Sequence, residues 1–223
     1  MLNYHYDWSV VLHSLPALLR GLLYSLEIAF VTLGCAFALG LVVALCRMST
    51  FRPLSVAAYV YIQVFRALSL YVYILWVYFG LGIAFDINLS PLQAAIVSLT
   101  FLYSAYTAEI FRAAIGAVDV GQREAGTALG LGVVGIFVSI AFPQAIRIAI
   151  PALVNSLVDI VKDSAIVAII GAGDLMYTTI QLSNYYVRSF EFYTVTAGIY
   201  LVVILLLTRI ATTVERIFPV RAA

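Results

Sequence analysis

Ionisable side chains of both signs interrupt two long apolar segments of this sequence. Asp159 and Lys162 are three residues apart, so they can pair on one helical face, and Asp163 follows directly. Arg66 lies at a similar depth in an earlier apolar segment. A zwitterion needs a cation or N–H groups for its carboxylate, and an acid or carbonyl groups for its ammonium group. These residues offer both kinds of partner.

The same residues also have alternative roles. An internal ion-pair network would fix the packing of helices, and the acids and the lysine would also suit the proton or ion site of a coupled carrier or channel. A charge inside an apolar segment is costly, so it should face protein or a water-filled cavity. The residues that we predict as candidates for a substrate pathway are Arg66, Tyr106, Asp159, Lys162, Asp163 and Ser164.

Signatures of catalysis and of metal binding are missing from the sequence. A phosphate-binding loop needs a Gly-Lys pair, whereas the only lysine, Lys162, follows Val161. The motifs HExxH and GxSxG are absent, and neither His5 nor His13 has a carboxylate at ligand spacing. We therefore expect no catalytic residue, no metal site and no cofactor bound by this chain, and any ATP hydrolysis would need another subunit.

The composition is that of a membrane protein. Of 223 residues, 64% are hydrophobic and 10% are charged, and the mean hydropathy is +1.07. A helix needs about 20 apolar residues to cross a bilayer. We expect an all-α fold in one transmembrane domain, residues 1–223, without a removable signal peptide. The five predicted transmembrane helices are 21–46, 54–85, 92–114, 146–171 and 192–214.

The distribution of cations predicts the orientation of these helices. Eight arginines fall on the side shared by the first loop, the third loop and the C-terminus, whereas Arg20 and Arg188 fall on the other side. Cytoplasmic loops carry the excess of Lys and Arg. The N-terminus is therefore predicted to be periplasmic and the C-terminus cytoplasmic. The eight arginines are Arg47, Arg52, Arg112, Arg123, Arg147, Arg209, Arg216 and Arg221.

The third loop, residues 118–143, combines charges and glycines between two apolar segments. Its apolar residues recur at helical spacing, but Gly126, Gly130, Gly132 and Gly135 interrupt them. The pattern predicts a short helix with Asp119 at its N-cap, then a turn, then an amphipathic return to the membrane. Such a helix is either a docking element or an interfacial helix that merely connects two spans.

The third loop resembles the EAA signature of permease subunits of ATP-binding cassette importers. Glu124, Ala125 and Gly130 match the signature, and Gly126 stands where its second alanine is usual. Nearly the whole chain is similar to the polar amino acid permease family, which includes histidine, glutamine and glutamate permeases. The matching runs are AYTAEIFR at 105–112, PQAIRIAIPALVN at 143–155 and KDS at 162–164. Ser69 replaces a proline of that family, which predicts a weaker helix break there.

This resemblance implies the membrane-spanning subunit of an importer that works by alternating access. It implies a cytoplasmic coupling helix between helices 3 and 4, and as partners an ATPase dimer that binds ATP and Mg²⁺, a second permease chain and an external solute-binding protein. The implied location is the bacterial inner membrane. Nucleic acid is not among the implied partners. The residues that the resemblance assigns to ATPase coupling are Gln122, Glu124, Ala125, Gly126 and Gly130.

The resemblance also bears on the substrate. Residues 6–22 and 64–79 look most similar to permeases for glutamate and aspartate, which favours an acidic amino acid. The alternatives are a basic amino acid, glutamine, an opine or an ectoine-like solute. Whether the two permease chains are identical or are two sister chains is left open at this stage.

Overall fold

Helices form the described part of the chain, residues 5–217 of a computed structural model, and no β-strand occurs within it. The long helices are α1 (Trp8–Met48), α2 (Arg52–Ala67), α5 (Pro91–Gly116), α8 (Phe142–Asp163) and α10 (Ser189–Ile217). The shorter elements are α3 (Leu70–Leu75), a π-helical turn (Trp76–Gly80), α4 (Leu81–Phe85), α6 (Val120–Ala128), α7 (Val133–Ile136), a second π-helical turn (Phe137–Ala141), a 3₁₀ helix (Ser164–Ile170) and α9 (Leu175–Tyr186).

Within residues 5–217, four helical stretches are long and apolar enough to cross a membrane, and a bent pair can supply a fifth. The all-α membrane fold is therefore confirmed. Arg221 and both chain ends, on which the predicted orientation partly depends, lie outside the described residues. The four stretches are Trp8–Met48, Pro91–Gly116, Val133–Ile170 and Ser189–Ile217, and the bent pair is Arg52–Ala67 with Leu70–Phe85.

Two of these stretches begin earlier than the apolar segments predict. Helix α1 starts at Trp8 rather than at residue 21, because Asp7 accepts hydrogen bonds from the N–H of Ser9 at 3.1 Å and from its hydroxyl at 2.5 Å. These bonds also lower the pKa of the Asp7 carboxyl below its usual range. The fourth stretch starts at Val133 rather than at residue 146. The amphipathic return from the third loop is thus continuous with the span itself.

The second apolar segment is broken at Leu68 and Ser69. Ser69 has the extended conformation, with φ −69° and ψ 120°, and α3 begins directly after it. The two helical parts meet at 103°, although the chain has no proline there. The serine therefore allows a sharp break, and the weaker break predicted from the missing proline is not what the structure shows.

Helix α9 occupies residues that the hydropathy pattern assigns to a loop. Gly171 and Gly173 have φ of 79° and 80°, so the preceding helix ends where these glycines predict. Asp174 then caps α9 by accepting hydrogen bonds from the N–H groups of Met176 at 3.0 Å and Tyr177 at 3.3 Å. The region therefore holds a short capped helix before α10.

The chain forms two compact units, each with its own buried apolar cluster. The first unit comprises Met1–Thr32, Leu68–Leu99 and Val158–Leu207, and Val11, Leu18, Leu175 and Phe192 form a buried cluster in it. The second unit comprises Leu33–Ala67, Thr100–Leu157 and Thr208–Ala223. Its buried cluster is Ala44, Ile62, Ala108, Phe111, Ala114, Ile115, Val118, Ala141, Ala145, Ala149 and Leu153.

Val187 carries backbone strain at the end of α9. Its φ of 55° is left-handed, and the N–H of Arg188 bonds the carbonyl of Ser183 at 3.1 Å, which closes the helix end. The left-handed conformation costs a residue with a Cβ roughly 1–2 kcal/mol. We expect Val187→Gly to raise the free energy of unfolding by about 0.5–1 kcal/mol, since glycine has no such penalty but loses more chain entropy.

Thermal unfolding of the solubilised complex tests this expectation. Val187→Ala is the matched control, because alanine loses the β-branch but keeps the Cβ, and it should give a smaller gain than glycine. Equal shifts of the melting temperature in both variants would show that the backbone conformation at Val187 is not the cause.

Candidate functional site

Helix α6 presents part of the predicted coupling set to solvent. Gln122, Glu124 and Ala125 are exposed, whereas Gly126 is buried. Asp119 occupies the N-cap position as predicted, but its side chain makes no capping hydrogen bond. The predicted short helix of the third loop is therefore present, and its exposed face carries a carboxylate.

Gly126 is the point at which α6 packs against the chain that follows it. A Cβ added here would lie 2.7 Å from Cδ1 of Ile140 and 3.0 Å from Cγ1 of Ile136. Both distances are below ordinary van der Waals contact, although the ends of isoleucine side chains can shift. Glycine in place of the usual alanine thus allows α6 to approach these side chains closely.

Gly130 ends α6. Its φ is 78°, its N–H bonds the carbonyl of Thr127 at 2.9 Å, and the N–H of Leu131 bonds the carbonyl of Gly126 at 3.1 Å. This pair of bonds is a Schellman motif, in which the left-handed position favours glycine. The glycine of the EAA-like run therefore sets the turn between α6 and α7.

Arg123, three residues before Gly126, anchors the same side of α6. Its Nη2 donates to the carbonyl of Ile115, near the end of α5. The side chain also lines a cavity of about 380 Å³. Sequence reasoning identified Arg123 only as one of the cytoplasmic cations. Its contact with Ile115 could not be predicted from spacing, because it joins two helices across a turn.

Arg66 and Tyr106 come together in the second unit. The guanidinium carbon of Arg66 lies 5.3 Å from the centre of the Tyr106 ring, which is a cation–π contact. Arg66 is exposed and Tyr106 is 37% exposed. Arg66 has no ion pair among the described residues. The N–H groups of this guanidinium can therefore reach a carboxylate without first breaking a salt bridge.

Four other predicted pathway residues lie in the first unit. Nζ of Lys162 is 3.2 Å from Oδ1 of Asp159, and both side chains are at least half exposed. Asp163 lies where α8 gives way to the 3₁₀ helix. Ser164 is fully buried, and its hydroxyl donates to the carbonyl of Val161 at 2.7 Å.

A further ion pair lies near the end of α5. Nε and Nη2 of Arg112 donate to Oε2 of Glu109 at 3.0 and 2.7 Å, a local pair that three-residue spacing on a helix allows. No group of three or more His, Cys, Asp or Glu side chains that could hold a metal ion occurs in residues 5–217.

Known proteins match this chain along most of its length. Residues 36–216 match the family described as binding-protein-dependent transport system inner membrane component. The chain is 38% identical over 210 residues to the arginine transport system permease protein ArtQ of Bacillus subtilis (strain 168), covering 94% of this chain and 96% of that protein. It is 31% identical over 212 residues to the glutamine transport system permease protein GlnP of Escherichia coli (strain K12), covering 95% and 97%.

Solved structures share the fold. The crystal structure of an amino acid ABC transporter with histidines aligns with a TM-score of 0.88 at 35% identity, over 96% of this chain and 99% of that one. An inward-facing structure of the MetNI methionine ABC transporter aligns with a TM-score of 0.78 at 21% identity, over 92% and 97%, and shows the fold alone. The chain therefore belongs to the family of binding-protein-dependent inner membrane transport components, as a permease subunit of a polar amino acid ATP-binding cassette importer.

Proposed function

We propose that α6 is the helix through which an ATPase subunit acts on this permease. The observation that carries the proposal is the double anchoring of one side of α6, since Gly126 packs on Ile136 and Ile140, and Arg123, three residues earlier, bonds the end of α5. Glu124 and Ala125 are exposed on the opposite side of the helix, and Gln122 is exposed beside Gly126. A helix that is fixed to its own domain and exposed on one face can transmit a movement of a docked partner to that domain.

The assembly follows from this arrangement. Two permease chains, identical or sister, would form one transmembrane pathway from residues 1–223 of each, with α6 and the C-terminus on the cytoplasmic side and the N-terminus outside. An ATPase dimer, which holds the ATP and Mg²⁺, would dock on the two α6 helices. A solute-binding protein would deliver the amino acid from the external side. Closure of the ATPases on ATP would move α6 and switch the pathway between inward and outward access.

In each unit, taken by itself, polar side chains would offer groups to an amino acid on the pathway. Arg66, held over the ring of Tyr106, is suited to the α-carboxylate, because a guanidinium can donate two parallel hydrogen bonds. Asp159 and Lys162 carry charges of both signs, which suit the ammonium and carboxylate groups of the substrate. Asp163 is a further candidate. Ser164 contributes least in this structure, because its hydroxyl is buried against its own helix.

The identity of the amino acid has two supported answers. Similarity of residues 6–22 and 64–79 to glutamate and aspartate permeases favours an acidic substrate. The relatives named for arginine and for glutamine, at 38% and 31% identity, favour the alternatives of a basic amino acid or glutamine. Substrate-stimulated ATPase activity of the reconstituted complex with its binding protein, measured over a panel of amino acids, separates them. Stimulation by no amino acid would contradict the proposed transport role.

Gly130→Ala should uncouple the ATPase, because the left-handed φ of 78° disfavours a residue with a Cβ by roughly 1–2 kcal/mol and the end of α6 must move. We expect substrate-stimulated ATPase activity to be lost while the chain still inserts into the membrane. Gly132→Ala is the matched control, since Gly132 has φ −71° and a Cβ there meets nothing within 4 Å. Equal activity of the two variants would remove Gly130 from the coupling set.

A further inference from the structure

A cavity of about 380 Å³ lies in the second unit, beside α6. Its wall is almost wholly apolar and includes Leu45 and Met48 near the end of α1, together with Ile115 and Phe137. Its volume falls within the range of pockets that hold small organic ligands, roughly 300–1,000 Å³. Arg123 is the charged side chain in this wall. A single cation on an apolar surface suits a ligand with an anionic head and an apolar tail.

Arg123 has donor capacity that its own chain leaves unused. Its Nη2 bonds the carbonyl of Ile115, but its Nε is buried without a hydrogen-bond partner among the described residues. No acidic side chain in residues 5–217 forms an ion pair with it. A buried donor left unpaired costs free energy. A small shift of the side chain would let this N–H donate to an anion and would give the guanidinium charge a counter-ion.

The rim of the cavity is continuous with apolar surface that faces outwards. Val133 and Val134 line the cavity and are 85% and 75% exposed. They begin the stretch Val133–Ile170, which is apolar enough to cross a membrane. In a membrane protein, apolar surface of this kind contacts lipid tails. An acyl chain can therefore enter the cavity from the bilayer without crossing water.

We propose that this cavity binds one anionic phospholipid, with an acyl chain against the apolar wall and the phosphate on Arg123. A guanidinium matches a phosphate geometrically, and basic pockets beside transmembrane helices are suited to lipid head groups. Because Arg123 is next to Glu124 on α6, the bound lipid would hold α6 against α5 and raise the activity of the docked ATPase. This consequence rests on the proposed coupling role of α6, whereas the binding itself does not.

The complex of the permease with its ATPase is purified in detergent and exchanged with lipids from vesicles of phosphatidylcholine and phosphatidylglycerol. Native mass spectrometry of this complex then tests the binding. We expect one phosphatidylglycerol retained per permease chain. Arg123→Gln, which removes the charge, and Val134→Trp, which fills the rim, should each lower retention at least tenfold. The matched controls are Arg52→Gln, an exposed arginine at the start of α2, and Val138→Trp, which is 57% exposed and lies outside the cavity wall. Both should retain the lipid.

Three outcomes would overturn the proposal. Equal retention of phosphatidylcholine would exclude recognition of the negative charge, and equal loss in Arg52→Gln would show general attraction of anionic lipid. Retention of a free fatty acid, identified by its mass, would assign the cavity to a carboxylate instead. Because the readout is lipid mass, it is independent of coupling. Lipid retained in Glu124→Ala without coupled ATPase activity would support both proposals, and lipid retained with full coupled activity would contradict only the coupling role.

Discussion

Replacing Glu124 with alanine is expected to abolish substrate-stimulated ATPase activity while leaving membrane insertion intact. Glu124 is exposed on α6, so the substitution removes a charge that a docked ATPase would contact and creates no cavity in the permease. Truncation of a central interface residue typically weakens binding by about 2 kcal/mol or more, roughly thirtyfold. Transport-coupled ATPase activity should fall at least as far, and copurification of the ATPase should weaken with it.

Asp119→Asn is the control for this prediction. Asp119 is exposed one residue before α6, and its side chain makes no capping hydrogen bond, so the variant removes a nearby charge without changing the helix. We expect near-normal coupled activity. If Glu124→Ala retained normal coupled ATPase activity with a full complement of ATPase, α6 would not be the docking element and the interfacial-helix alternative would stand.

Replacing Gly40 with alanine should have the largest effect on stability. A Cβ there would lie 1.9 Å from Oγ1 of Thr107 and 2.9 Å from the carbonyl oxygen of Ser104. The Thr107 hydroxyl cannot simply turn away, because it donates to the carbonyl of Ala36 at 2.7 Å. The variant must separate α1 from α5 or lose this hydrogen bond. Overpacking and the broken bond together predict a loss of about 3 kcal/mol.

Gly34→Ala tests whether helix propensity or packing causes this loss. Gly34 lies in the same helix, and a Cβ there meets nothing within 4 Å. Alanine is a better helix former than glycine, so this variant should be neutral or stabilising by up to about 1 kcal/mol. The measurement is the thermal unfolding midpoint and the yield of folded protein in detergent. Similar midpoints for both variants would mean that the close approach of α1 to Thr107 is not essential.

Sequence reasoning succeeded where the interactions are local. The pairs Glu109–Arg112 and Asp159–Lys162 follow from three-residue spacing on a helix, and the structure contains both. The predicted end of the fourth transmembrane helix at residue 171 likewise coincides with a left-handed glycine, Gly171. The family resemblance, carried by the run around Glu124, is confirmed by the match of residues 36–216 and by the relatives named as amino acid permeases.

Other features could not be read from spacing, because distant parts of the chain create them. Arg66 meets Tyr106 from another helix, and Gly126 is buried only because Ile140 folds back on α6. The start of α1 was missed because Pro16 and Arg20 interrupt the apolar run, although Asp7 followed by Ser9 is a helix-start signal. Helix α9 was missed because its polar residues mask the pattern, although Asp174 caps it.

The energy source of uptake tests the account most directly. Proteoliposomes containing the permease, its ATPase and its binding protein are loaded with ATP or with a non-hydrolysable analogue, and uptake of labelled amino acid is followed with and without a protonophore. We predict uptake that requires hydrolysable ATP and is unaffected by the protonophore, with no uptake by Glu124→Ala. Uptake that continues without ATP and collapses with the proton gradient would contradict the account and assign Asp159, Lys162 and Asp163 to an ion-coupled carrier.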